Sequence, residues 1–382
     1  MGRAIWIDLA TPKSVMFFRK IIEKLYQKGI ETFVTSRQGD DYTETTELLD
    51  LYEIKYRSVG KFGGGELKGK LHASLLRQMD FMETIAGMDA EIADAAQKVE
   101  KLVCLCSVDA NRVAFGLKIP IVNFYDIPLS DHTSNFLKAL PQARLTLPLS
   151  AHVFKPFMVP DDIFTRFSLE KAQVYSYEFI DPVLWLCDFK QDINVYKGIL
   201  NSIGADSKKP VIVVREEEYK ASYVDKQYPL LYRALPEIYK KTEANIIIVP
   251  RYELDYLKTL FPFAYVLENK IKIQHLLAYC DLFIGGGGTI NVESTFFGTP
   301  TVSTRSFVSH YDKFLMDVGL MKWVSSETQL IDTVLNSMGK KKEALSQQFY
   351  DRQVEQALCF SEKFVSWLVS GNEDEERFNG IC

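Results

Sequence analysis

Twice along the chain, short apolar runs alternate with amphipathic segments at helical spacing, and that alternation admits few arrangements other than parallel sheets covered by helices. "AIWIDL" opens the first block. A helix carrying Phe18, Ile21, Ile22 and Leu25 at i, i+3, i+4, i+7 spacing follows, closed by Gly29, and then "ETFVTS" completes a βαβ unit. "EIKYRSV", "KLVCLCS" and "IPIVNFY", the last two joined by the helix "DANRVAFGL", continue the pattern. Between about residues 131 and 209 the alternation blurs around several prolines, and an interdomain crossover with irregular loops is expected there. A second block supplies "PVIVVR", "NIIIVP", "AYVLE", "DLFIG" and "TPTVS", with helices such as "IQHLLAYC" between them. From Lys341 to about Val369 the pattern predicts one long amphipathic helix, and the acidic "NEDEERFNG" after it is expected to be a solvated tail.

A chain of 382 residues, 47% of them hydrophobic, can bury two sizeable cores. Its net charge of -5 leaves no basic footprint, so nucleic acid is not an expected partner. The six cysteines form no CxxC pair or Cys/His cluster, so no metal site is expected and all six read as intracellular thiols. Cys104 and Cys106 lie two apart, a spacing that puts both on one face of a strand, in the core. "MGRAIWIDLATP" begins a strand at once, with Asp8 inside its apolar stretch, which does not fit a signal peptide. Trp6 also spoils a myristoylation signal. No apolar run approaches the roughly 18 residues of a membrane span, and a cytoplasmic location is expected. A peripheral membrane contact through "FLKALPQARLTLPLSAHVFKPFMVP" is the variant of that expectation, and it would serve a lipid-linked acceptor.

The densest chemical signal is "DLFIGGGGTINVESTFFGTPTVS", with four adjacent glycines between a strand and a helix. In open α/β sheets ligands sit beyond the carboxyl ends of strands, where the next helix begins. Glycines there let backbone N–H groups approach a phosphate, and the helix start directs its positive dipole end at the charge. No lysine follows, so the run is not a P-loop, and the GxGxxG spacing fails at Ile290 and Asn291. Thr289 is placed to cap the helix and to donate to a phosphate oxygen. Glu293, one turn on, offers acceptors that suit the two hydroxyls of a ribose.

"GGGGTINVESTFFGTPTVS", together with "IWIDLATPKSVMFFRKIIEKLYQKGIETFVTSR", "GKFGGGELKGKL" and "RVAFGLKIPIVNF", resembles the family called domain of unknown function 354 over most of the chain. More distantly, that family resembles GT-B proteins: the UDP-N-acetylglucosamine 2-epimerases and the N-acetylglucosaminyltransferase that completes the lipid-linked peptidoglycan precursor. The resemblance implies an α/β GT-B fold of two Rossmann-like domains facing across a cleft, with a C-terminal helix crossing between them. The expected boundaries are 1–185, completed by 355–382, and 186–354. A nucleotide-sugar donor is implied as the partner, held mainly by the second domain, with no cofactor. Gly286, Gly287, Gly288 and Thr289 would lie on the diphosphate and Glu293 on the ribose. Arg215, at a strand end in "VIVVREEEY", matches the place where the epimerases keep a basic residue followed by an acid, here Glu216. Arg251, at the equivalent end of "NIIIVP", would be a second anion contact, and His310 stands on a loop where donors are contacted. The histidine of the family's first loop is replaced here by Lys13 or Ser14, and Phe62 stands where another is expected.

Chemistry at a sugar needs a base in a first-domain loop. Asp8 ends the first strand, Asp109 opens a helix as an N-cap, Asp126 follows "IPIVNFY", and His132 lies in "DIPLSDHTSN". These four are the catalytic candidates. The expected activity is glycosyl transfer to an acceptor hydroxyl. Epimerisation with Asp109 and Asp126 handling protons is one alternative, and non-catalytic nucleotide-sugar binding is another.

Overall fold

Thr11 starts the first helix by a reciprocal cap: its hydroxyl accepts from the Ser14 N–H at 3.2 Å, and the Ser14 hydroxyl accepts from the Thr11 N–H at 3.1 Å. Pro12 follows at the first helical position, where no N–H is needed. The computed structural model describes residues 4–39, 43–91, 99–217, 230–251, 254–269 and 271–370. The chain divides into two units, Met1–Trp185 with Glu355–Cys382, and Leu186–Val354.

The first unit runs β1 (Ala4–Leu9), α1 (Pro12–Gln27), β2 (Thr32–Gln38), α2 (Glu44–Leu51), β3 (Arg57–Lys61), α3 (Leu67–Glu91), β4 (Val99–Cys104), α4 (Val108–Gly116), β5 (Ile121–Phe124), α5 (Pro141–Thr146), β6 (His152–Pro156), α6 (Asp161–Thr165), β7 (Val174–Tyr177) and α7 (Val183–Leu186). Its seven strands are all parallel, in the order β3-β2-β1-β4-β5-β6-β7. Every residue of β1 is buried, as a central strand covered on both faces must be. Trp6 packs edge-on to Phe81 at 5.0 Å and donates its indole N–H to Thr35 Oγ1 at 2.9 Å. Phe18, Ile21, Ile22 and Leu25 form the buried face of α1.

The stretch expected to be a crossover with loops instead extends this sheet by β6 and β7. Polar residues inside short strands hid the pattern. Lys155 lies buried in "HVFKP", satisfied by Ser176 Oγ at 2.7 Å and Asp161 Oδ1 at 2.7 Å. Pro141 occupies the first turn of a helix. The segment considered for membrane contact puts Leu140, Ala143, Leu147, Val153 and Phe154 in the core and leaves Leu137 and Leu145 exposed. No helix among the described residues is long and apolar enough to cross a membrane.

The second unit runs α8 (Ile193–Ser202), β8 (Val211–Arg215), α9 (Leu230–Thr242), β9 (Asn245–Val249), α10 (Leu254–Leu260), β10 (Tyr265–Val266), α11 (Gln274–Tyr279), β11 (Leu282–Gly285), α12 (Gly288–Phe296), β12 (Thr301–Ser303), α13 (His310–Asp317), β13 (Met321–Trp323) and α14 (Glu327–Ser337). Its parallel order is β10-β9-β8-β11-β12-β13. Ile212, Val214, Ile246, Ile248, Leu282 and Ile284 fill one face, and Val211, Val213, Ile247 and Phe283 the other. The three-residue β13 is too short to show a period and escaped the sequence reading.

A last helix, α15 (Glu343–Ser370), contributes to both units. In the second, the Tyr350 and Thr295 hydroxyls meet at 2.7 Å. In the first, Phe364 packs on Phe124 at 5.0 Å and on Phe154 at 5.1 Å, and Lys101 donates to the Leu368 carbonyl at 3.3 Å. The acidic segment after α15 lies outside the described residues. Cys104 is core as expected. Cys106, though buried, falls beyond the strand end at φ 48°. Cys104, Cys106, Cys187 and Cys280 are in no disulfide, whereas Cys359 is disulfide-bonded, which corrects the reading of all six as thiols.

Candidate functional site

In the second sheet the strand order reverses between β8 and β11, the place where α/β sheets open a crevice at their carboxyl ends. Gly285 of β11 is in register with Arg215 of β8 and Ser303 of β12, so three strands end together. The glycine run leaves the middle one. Gly286 extends the sheet, its N–H donating to the Arg215 carbonyl at 3.0 Å. A Cβ at this residue would lie 2.6 Å from both the backbone N and the Cβ of Glu217, so only glycine lets the two loops pass. The Gly286 amide is therefore not available to a diphosphate, contrary to expectation.

Helix α12 begins at Gly288 with Gly287 as its N-cap, and no side chain caps it. Thr289, expected as the cap, lies inside the first turn. That turn holds no acid, so its N–H groups and the dipole's positive end stay uncompensated by the helix itself. Two guanidinium groups stand beside it. Arg251 Nη2 is 3.8 Å from where a Gly287 side chain would begin, and Arg305 Nη1 is 3.0 Å from the same point on Gly288.

Both arginines are built in. The buried Arg305 donates to Asp312 Oδ2 at 2.9 Å and to Ser309 Oγ at 3.4 Å, and its guanidinium carbon lies 3.9 Å from the centre of the Phe307 ring. Arg251 is tethered by its backbone N–H, which Glu216 Oε2 accepts at 2.9 Å. Glu217 Oε1 accepts from the Ser306 N–H at 2.9 Å and hydroxyl at 2.7 Å, joining the loop after β8 to the loop after β12. Burial pushes the Glu216 and Glu217 carboxyls above their ordinary range. Arg215, expected as a phosphate ligand, turns its Nη1 to the Val249 carbonyl at 3.3 Å and to the Pro250 carbonyl, so it holds the end of β9.

Glu293 is buried, and its Oε2 accepts from the Gln274 amide at 3.0 Å. His275, next along α11, is structural: its Nδ1 accepts the Asp192 N–H at 3.1 Å, and burial lowers its pKa. His310 is the first residue of α13, partly buried, behind a Ser309–Asp312 capping box.

In the first unit the order reverses between β1 and β4. Asp8, at that point, accepts from Thr35 Oγ1 at 2.7 Å and pairs with Arg77 Nη2 at 2.7 Å. Arg77 also reaches Asp109 Oδ2 at 3.5 Å, while the Ser74 hydroxyl donates to Asp109. Asp8 and Asp109 thus sandwich one buried guanidinium. Ser107 is the N-cap of α4, so Asp109 is a first-turn acid and not the cap. Arg77 sits mid-helix in α3, without any strand-end signal in the sequence.

Asp126 belongs to a different group. Lys13 Nζ lies 2.5 Å from Asp126 Oδ2 and 2.6 Å from Asp181 Oδ2, and the Tyr177 hydroxyl donates to Asp181 Oδ1 at 2.5 Å. Burial works against the Lys13 charge, yet the two carboxylates carry its pKa to about 12. Burial raises Asp126 against the pull of Lys13. The Asp126 side chain keeps 19% of its surface exposed and that of Asp181 only 2%, so Asp126 is the more accessible of the two acids. His132 lies partly buried in the loop between β5 and α5. Among the described residues no group of His, Cys, Asp or Glu has the makings of a metal site.

A family model described as protein of unknown function (DUF354) matches residues 3–356. A curated relative, the uncharacterized protein MJ0665 of Methanocaldococcus jannaschii, is 28% identical over 347 residues, covering 88% of this chain and 92% of that protein. The structure of UDP-N-acetylglucosamine 2-epimerase from Rickettsia bellii superimposes with a TM-score of 0.68 at 14% identity, covering 99% of this chain and 98% of that one. The M. jannaschii UDP-GlcNAc 2-epimerase, solved with UDP-GlcNAc and UDP, gives 0.64 at 14% identity over 92% and 99% of the two chains. Anabaena Alr3699/HepE, solved with UDP and glucose, gives 0.59 at 16% over 96% and 100%. The two-domain architecture is that of these GT-B-like proteins.

Proposed function

The chain belongs to the DUF354 family, and we propose that it is a nucleotide-sugar enzyme whose donor diphosphate binds at the start of α12. One observation carries this reading: an uncapped helix N-terminus at a sheet switch point has the guanidinium groups of Arg251 and Arg305 beside it. Such a site favours a dianionic group through N–H donors, dipole and charge together. Glu293 supplies acceptors for a ribose diol, with Gln274 fixing its orientation. The fold neighbours solved with UDP or UDP-GlcNAc support a nucleoside diphosphate sugar as the ligand class.

The reaction is transfer of the sugar to an acceptor hydroxyl. The acceptor oxygen bonds to the anomeric carbon, the bond from that carbon to the diphosphate oxygen breaks, and a general base takes the acceptor proton. The α12 amides with Arg251 and Arg305 stabilise the charge gathering on the departing diphosphate. Transfer needs one base. Epimerisation at C2, favoured by the names of the fold neighbours, needs proton removal and return, which would call on Asp109, engaged by Arg77 and Ser74, as well as on Asp126, paired with Lys13.

Incubation with UDP-N-acetylglucosamine in heavy water separates the readings. Deuterium at C2 without acceptor supports the epimerase and counts against transfer. UDP release dependent on an added acceptor supports transfer. Binding without turnover over a panel of donors and acceptors would leave a nucleotide-sugar binding protein.

A further inference from the structure

The least expected surface of the molecule is the outer side of α3. Its inner side is spent on the first unit: Arg77, Phe81 and Ile85 are buried, and Ser74 donates to Asp109. The outer side carries Leu67, Leu71, Leu75, Met79 and Met82, exposed by 81, 63, 54, 53 and 51%. At 3.6 residues per turn these positions form one continuous ridge, and a contiguous apolar patch of this kind marks an interaction site on a folded protein.

We propose that this ridge is a two-fold interface at which α3 packs antiparallel against α3 of a second copy of the chain. Self-complementarity argues for that occupant. Leu75 lies at the middle of the ridge, so a two-fold axis beside it sets Leu71 of one copy against Met79 of the other and Leu67 against Met82. The flanking charges obey the same symmetry. Lys68 and Glu83, both exposed, lie on the same flank and seven and eight residues either side of Leu75. The axis therefore brings each lysine to the other copy's glutamate, twice per pair. Glu83 also lines an open groove of about 300 Å³ with Arg57, Asp80 and Thr84, room into which a long partner side chain can extend. A lipid surface would be matched by a flank of cations alone, whereas this flank is basic at one end and acidic at the other.

Sedimentation equilibrium of the full chain tests the interface. The wild type is expected to be a dimer and Leu75→Glu a monomer at the same concentration, with an unchanged circular dichroism spectrum because Leu75 is already half exposed. Lys68→Glu and Glu83→Lys, each alone, are expected to weaken the dimer at least tenfold, since each puts like charges together twice. Mixed one to one, they are expected to restore it, because both contacts in the mixed pair are again opposite. A monomeric wild type at 100 µM scale, about ten times a common working concentration, would overturn the proposal. So would a dimer indifferent to Leu75→Glu, a mixture no tighter than its components, or capture of monomers by neutral vesicles in place of pairing.

Discussion

Replacing Glu293 by glutamine isolates the ribose contact from everything else at the site. Glutamine keeps the shape and can still accept from Gln274, now 3.0 Å from Glu293 Oε2, by turning its carbonyl that way. What it then presents to a diol is an amide that donates, where the carboxylate accepted. A hydrogen bond to a charged group contributes about 1.5–3 kcal/mol, so UDP binding is expected to weaken about 10- to 100-fold. Inorganic diphosphate has no ribose, and losing a buried anion near its site can only help it. Its affinity is expected to stay level or to rise slightly. Titration calorimetry with both ligands on both proteins, at one ionic strength, gives the four constants. Equal losses for UDP and diphosphate, or no loss for UDP, would refute the assignment of Glu293 to the sugar hydroxyls.

Gly287→Val should abolish diphosphate binding while changing stability by only about 1 kcal/mol, since φ -107°, ψ 145° suits any residue and only Arg251 lies near the new side chain. Retained binding in calorimetry would show that the turn faces elsewhere. Lys13→Met leaves Asp126 and Asp181 without their shared cation and is expected to cost about 3 kcal/mol, or roughly 6–12 °C in Tm. With the cation gone nothing offsets the burial that raises Asp126, so the deficit should be greatest at neutral pH and shrink as pH falls and that acid protonates; scanning calorimetry from pH 5 to 8 reads the sign. If Asp126 is the base, kcat/KM should fall on the acid side of a pKa raised above the ordinary aspartate range by burial, and a rate profile ending near pH 4 would exclude it.

The sequence made the strand-to-helix turns legible because their chemistry is local. "DLFIGGGG" contains both the apolar run and the glycines, and the turn it describes is there between β11 and α12. Burial on both faces of β8 and β9 likewise left continuous apolar runs. What the sequence hid is what depends on distant partners. Arg305 stands beside the start of α12 only because Asp312, Ser309 and Phe307 hold it, and a strand-end arginine after "TVST" was the one available hint. Arg215 looked the better ligand, yet the ends of β8 and β9 lie side by side, so its guanidinium serves the carbonyls at the end of β9. Asp181 and Tyr177 lay in the proline-rich stretch that was read as loops, so the partners of Lys13 could not be assembled without β7. Lys155 and His152 broke the apolar signature of β6 in the same way, since a buried cation with two acceptors is indistinguishable in sequence from a surface one.

The aromatic cover that α15 lays over Phe124 and Phe154 has a practical consequence for anyone dividing this molecule into pieces. A fragment cut at residue 185 would retain all seven strands but expose those rings to water, and should aggregate or bind chaperones when produced alone. Rejoining residues 355–370 to it through a short glycine-serine tether is the minimal repair, and the same dependence keeps the first unit open during synthesis until those residues have been made.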